Sequence, residues 1–168
     1  GGVAPIALAL ARAAGATVTV LSRRPAMLEQ ALRLGADAAV RTTTDWSASL
    51  KAAVDIVLDT VGSAVFTASL DTLRPGGRLV SVGATTGAVV QLDLRDLFFR
   101  QVSIRGTSMA SAPEFAAMLD FVTRHRIRPI VGQEWPLRQA GDALAAMAAN
   151  STVGKTAISI NAAIREKS

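Results

Sequence analysis

Apolar residues along this chain fall into two alternating rhythms. Residues 3–14 (VAPIALALARAA) are apolar on nearly every face, which predicts a buried helix; Pro5 suits its first turn and Gly15 its stop. TVTVL (17–21) predicts a strand. PAMLEQALRLG (25–35) gathers Met27, Leu28, Ala31, Leu32 and Leu34 mainly on one side, an amphipathic helix ending on Gly35. A short strand (38–40) and a short helix (45–53) with Asp45 as its cap follow. VDIVLDTVG (54–62) is almost continuously apolar, the pattern of a parallel strand covered on both faces. A helix (64–73), an RPGG turn (74–77) and a second buried strand (78–84) come next. Residues 94–101 predict a short helix or bend, 102–109 a strand and 112–125 a helix, with Ser111 as cap and Pro113 and Glu114 in the first turn.

Strands alternating with helices at this spacing predict α/β structure, a doubly wound parallel sheet. After His125 the rhythm breaks at RIRPIVGQEWPL, which has two prolines and no helical pattern. A helix (138–150) and a strand (154–160) close the chain. The break predicts a Rossmann-like domain over residues 1–128 and a helix–strand tail over 129–168. The chain opens inside an apolar element without a polar lead-in, which predicts an N-terminally truncated fold.

Composition narrows the function. Half of the 168 residues are hydrophobic and 18% charged, enough for a packed domain and unlike a disordered chain. There is no cysteine, which removes disulfides and thiolate metal sites and fits a cytoplasmic location. The net charge of +5 comes mostly from scattered arginines, and tyrosine is absent, so the charge reads as solubility plus one anion site rather than nucleic-acid binding. No segment reads as a membrane span, because Gly15 and the 18–21 run split the apolar stretch 3–21, and no basic leader precedes it.

Gly1-Gly2-Val3-Ala4 opens a helix that feeds a strand, the place where backbone must approach a phosphate and free helix N–H groups bind it. The full glycine pattern needs one more glycine two residues before Gly1, with Ala4 at its third position. About 20 residues on, a dinucleotide fold carries the residue that meets the adenosine ribose. Counting from Gly2 lands on Ser22, followed by Arg23 and Arg24. A carboxylate there favours NAD. A hydroxyl with two guanidinium groups suits a 2′-phosphate, hence NADP(H) over NAD(H). Val61-Gly62 and Gly83-Ala84 follow two strand ends, where ligands of open α/β sheets lie; the nicotinamide and its ribose are expected there. Asp59 ends a strand and reads as a helix-capping or backbone-bonding carboxylate. His125, the only histidine, lies between two arginines and reads as a helix end rather than a base. Trp46 and Trp135 read as packing residues. No side chain stands out as a catalytic acid or base, and no metal-ligand pair has useful spacing.

In order along the chain, GGVAPIALALARAAGATV, LGADAAVRTTTDW, VDIVLDTVGS, LRPGGRLVSVGATTG, LDLRDLFFRQVSIRGTSMAS and VGKTAISI resemble the cofactor half of the medium-chain dehydrogenase/reductase superfamily. This is the zinc-type alcohol dehydrogenase and quinone oxidoreductase group; DLFFRQVSIRG looks most like its quinone oxidoreductase or zinc-binding dehydrogenase-like branches. The resemblance implies hydride transfer between NAD(P)H and a carbonyl, alkene or quinone in a longer protein. It implies an N-terminal catalytic domain, which would hold the substrate pocket and any zinc ligands and is absent from these residues. It places Gly1, Gly2, Val3 and Ala4 in the glycine turn, Ser22 at the ribose position and Lys155 near the cofactor. It also implies a homodimer through the strand at Val102–Gly106. Some NADPH-dependent relatives carry a tyrosine where this chain has Arg41, Thr42 and Thr43. Two alternatives remain: a class I S-adenosylmethionine-dependent methyltransferase-like domain, for which LRPGGRLV speaks, and a non-catalytic dimerising cofactor-binding fragment.

Overall fold

Seven strands and six helices alternate along the residues that the computed structural model describes, 2–43, 45–149 and 153–160. In chain order they are α1 (Val3–Ala13), β1 (Thr19–Ser22), α2 (Pro25–Arg33), β2 (Ala38–Arg41), β3 (Val54–Asp59), α3 (Phe66–Thr72), β4 (Leu73–Ser81), α4 (Leu94–Phe99), β5 (Ser103–Gly106), α5 (Ala112–Arg124), β6 (Val131–Pro136), α6 (Ala140–Ala148) and β7 (Lys155–Ser159). The strands form three sheets, β1-β2, β3-β4-β5 and β6-β7, and the pairings within the second and third are parallel. This is the mixed α/β, Rossmann-like architecture that the alternating rhythm predicts. Contacts divide the chain into two units: the described residues of 1–20, 24–39 and 117–168, and those of 21–23 and 40–116.

In the first unit, Leu8 of α1 packs with Ala31 of α2 and Ala36, joined by Val18, Val20 and Leu34. Leu8 is the only fully buried residue of α1, so the helix is less enclosed than its apolar sequence predicts. Asp37 ties this corner together. Its carboxylate accepts Val18 N–H at 2.7 Å and pairs with Arg12 at 2.8 Å. β6 is a strand that the sequence pattern does not predict; it pairs in parallel with β7, and α6 contacts both.

In the second unit, Phe66 and Leu70 of α3 pack with Leu73, Leu79 and Val102, the centre of a core over one face of the β3-β4-β5 sheet. RPGG is not a separate turn. It lies within β4, where the register with β3 jumps from Val54↔Leu73 to Ile56↔Arg78, so the four residues bulge out of the ladder. Arg100, after α4, holds this bulge: its carbonyl accepts Gly76 N–H at 2.8 Å, and its guanidinium donates to the carbonyls of Leu70 and Leu73 and pairs with Asp96. β3 is not covered on both faces. Val57 meets the core and Asp59 is buried, whereas Ile56 and Leu58 on the opposite face are 63% and 46% exposed.

Two caps also differ. Asp45 precedes a 3₁₀ turn (Trp46–Leu50) at φ 59° with no side-chain capping bond, while Asp93 caps α4 by accepting Arg95 N–H at 2.8 Å. Ser111 does mark the start of α5. Its hydroxyl and its N–H both donate to Glu114, at 2.6 and 2.8 Å, and these bonds hold the Glu114 carboxyl below its ordinary value of 4.5.

Candidate functional site

The expected site residues fall on strand ends and one helix start, and each group has a local reason for its position. Gly2 is the N-cap of α1 at φ −82°, ψ −8°, so no side chain caps the first-turn N–H groups of Val3 and Ala4. Gly1 lies outside the described residues. Lys155, the first residue of β7, reaches over Gly2: a Cβ added there would lie 2.8 Å from Lys155 Cδ and 2.9 Å from its Cε and Nζ. In the sequence only the family resemblance links these two residues; the fold brings them into contact. A helix N-terminus carries about half a positive charge. An ammonium beside it is repelled unless an anion sits between them, so this pair fits a phosphate group.

Ser22 ends β1 and Arg41 ends β2. Thr42 N–H donates to the Ser22 carbonyl at 3.0 Å, which sets Arg41-Thr42-Thr43 beside Ser22-Arg23. Arg23 and Arg41 are exposed, and neither forms an ion pair among the described residues. Arg24 stands at the N-cap of α2, with Pro25 in its first turn. No carboxylate occurs in 20–25 or 40–43. This strand-end surface suits a dianionic group and would leave ribose hydroxyls without a carboxylate acceptor.

The remaining residues belong to the loops after β3 and β4. Asp59, 3% exposed, accepts Val61 N–H at 2.8 Å and Gly62 N–H at 3.0 Å on Oδ1, the backbone-bonding role its position predicts; Oδ2 is buried with no partner among the described residues. Gly62 adopts φ +92°, and a Cβ there would lie 2.7 Å from the Gly87 carbonyl oxygen and 2.9 Å from Ala84 Cα. A Cβ on Gly83 would lie 2.7 Å from the Thr60 carbonyl oxygen. Val61, Gly62, Gly83 and Ala84 thus form one close-packed platform beyond two strand ends, and glycine is required where the loops touch. Thr86, which sequence reasoning misses, joins them: its hydroxyl donates to the Val61 carbonyl at 2.8 Å and accepts Ala64 N–H at 3.1 Å. Its only signal in the sequence is two threonines and a glycine after a strand.

His125 stacks on Phe121 at 4.3 Å between ring centroids, as a helix-end residue does. Trp135 buries its indole N–H without a partner among the described residues. No described helix is long and apolar enough to cross a membrane.

Residues 2–124 match the family model described as zinc-binding dehydrogenase. The chain belongs to the zinc-binding dehydrogenase family. It is 32% identical over 143 residues to a zinc-type alcohol dehydrogenase-like protein, YogA, of Leptosphaeria maculans, covering 79% of this chain and 40% of that protein. It is 34% identical over 131 residues to NADP-dependent alcohol dehydrogenase C 1 of Mycolicibacterium smegmatis, covering 77% and 37%. The fold matches a solved NAD-dependent alcohol dehydrogenase at TM-score 0.85 and 30% identity, over 96% of this chain and 49% of that one. The zinc-binding dehydrogenase chain thus spans less than half the length of these relatives. The match favours the dehydrogenase reading over the methyltransferase-like one. Among the described residues no group of three His, Cys, Asp or Glu side chains comes together.

Proposed function

We propose that this chain is the cofactor-binding portion of an NADP(H)-dependent oxidoreductase that acts on a carbonyl, alkene or quinone in the cytoplasm. The observation that carries the cofactor choice is the paired strand ends, where Ser22, Arg23 and Arg41 gather without a carboxylate. Ser22, Arg23, Arg24 and Arg41 hold the 2′-phosphate, through hydroxyl and bidentate guanidinium bonds. Gly1, Gly2, Val3 and Ala4 give the pyrophosphate a close backbone approach and free N–H groups, and Lys155 adds a positive charge at the helix start. Val61, Gly62, Gly83 and Ala84 face the nicotinamide ring and its ribose. The bound dinucleotide supplies the hydride; these residues bind, orient and screen it.

The substrate pocket and the group that protonates the reduced substrate are assigned to an N-terminal catalytic domain of the longer protein. The protein is a homodimer joined through β5, around Val102–Gly106.

Titration of the chain with NADPH and NADH in parallel calorimetry tests the cofactor choice. NADPH is expected to bind at least tenfold tighter, since charge-assisted bonds to a phosphate contribute about 1.5–3 kcal/mol. Arg23→Ala removes most of that difference and leaves NADH binding unchanged. Equal affinities in the parent chain would overturn the NADP preference. Absence of binding by either nucleotide to a folded chain would overturn the cofactor role and leave the dimerising-fragment reading.

A further inference from the structure

Most of the hydrogen bonds that fasten the loops after β3 and β4 to each other run through one residue, Thr86. Thr86 makes four hydrogen bonds to residues 61–64. Its N–H and its hydroxyl both donate to the Val61 carbonyl, at 3.0 and 2.8 Å. Its hydroxyl oxygen accepts Ala64 N–H at 3.1 Å, and its carbonyl accepts the Ser63 hydroxyl at 2.8 Å. Ser63 N–H donates to the Gly87 carbonyl at 3.2 Å. From below, Asp59 Oδ1 holds the N–H groups of Val61 and Gly62. The Val61–Gly62 peptide is therefore gripped on both sides, by a buried carboxylate and by an exposed threonine. The hydroxyl of Thr86 both donates and accepts, which valine cannot reproduce and serine can.

We propose that Thr86 is a positioning residue: with Asp59 beneath, it presets the loop face that orients the dihydronicotinamide ring for hydride transfer. This rests on the placement of the ring at Val61-Gly62 and Gly83-Ala84. Hydride transfer needs donor and acceptor held close and aligned, and small misplacements cost rate steeply. A platform locked before the ring arrives meets that need better than a mobile loop. Thr86 is exposed. Its hydroxyl therefore adds little to global stability and is free to serve loop geometry instead.

The test compares Thr86→Val with Thr86→Ser in the same chain, using NADPH and 2′-phospho-ADP-ribose, the same nucleotide without its nicotinamide. Calorimetry reads both affinities, and the emission of bound dihydronicotinamide reads ring placement. Thr86→Val is expected to weaken NADPH about fivefold, the loss of one or two neutral hydrogen bonds. It leaves 2′-phospho-ADP-ribose unchanged and moves the bound emission toward that of free NADPH. Thr86→Ser restores both signals. Equal loss for the two ligands, or no loss and unchanged emission, assigns Thr86 a merely structural role and overturns the proposal while the cofactor reading stands. A folded parent chain that binds neither ligand overturns the cofactor reading and this proposal with it.

Discussion

At the scale of single residues, the candidate site depends on places where only certain atoms fit. Gly62 is the sharpest. Its φ of +92° and the 2.7 Å separation between an added Cβ and the Gly87 carbonyl oxygen leave no room for a side chain. Gly62→Ala is expected to cost about 2–5 kcal/mol, combining left-handed strain of about 1–2 kcal/mol with overpacking of about 1–3 kcal/mol. A lower urea midpoint with unchanged slope reads that loss directly. A midpoint equal to the parent's would mean that the two loops separate easily, contrary to the hydrogen bonds between them. The glycines of the site are legible in sequence because chain punctuation is local. The grip of Asp59 is also legible, since a carboxylate at a strand end has N–H groups within reach two and three residues on. Thr86 is not, because its partners lie 22 to 25 residues away and depend on two loops meeting. Nor is the Lys155 contact with Gly2 readable from spacing, since it joins nearly opposite ends of the chain.

At the scale of elements, local pattern predicts most helices and strands and fails where a distant partner decides. VGQEWP becomes β6 because β7 pairs with it; its own Gly132, Gln133 and Glu134 and its terminal Pro136 give no strand rhythm. RPGG reads as a turn and is a bulge inside β4, because β3 and Arg100 hold both of its flanks. Arg100 shows how such an arrangement is fixed. Its guanidinium serves the carbonyls of Leu70 and Leu73, both buried, at the junction of α3 and β4. Arg100→Ala strips a charged donor from both and frees the bulge. A loss of about 2–3 kcal/mol is expected, within the range for bonds to charged groups. Hydrogen exchange checks the location: Gly76 N–H, which donates to the Arg100 carbonyl, gains exchange more than amides of β1. Uniform protection in the variant would show that the bulge holds itself.

At the scale of the whole molecule, the three-stranded sheet offers two edges, β3 and β5, that are unpaired among the described residues. Unpaired edges invite another strand, and a charge placed on an edge blocks that pairing. Both edges carry exposed apolar side chains, Ile56 and Leu58 on β3 and Ile104 on β5. α4, which precedes β5 in the chain, also carries exposed aromatic side chains, Phe98 and Phe99, with ring centroids 4.7 Å apart. These exposed rings just before β5 favour it over β3 as the seam of the proposed dimer. Sedimentation of two variants separates the edges. Ile104→Lys is expected to convert a dimer to a monomer, because in a two-fold seam the substitution sets a new charge on both copies. Ile56→Lys leaves the dimer intact and serves as the control for added charge. Dissociation by Ile56→Lys alone would move the seam to β3. A parent chain that sediments as a monomer at all concentrations would remove the dimer from the proposed function while leaving the cofactor surfaces of each copy as they are.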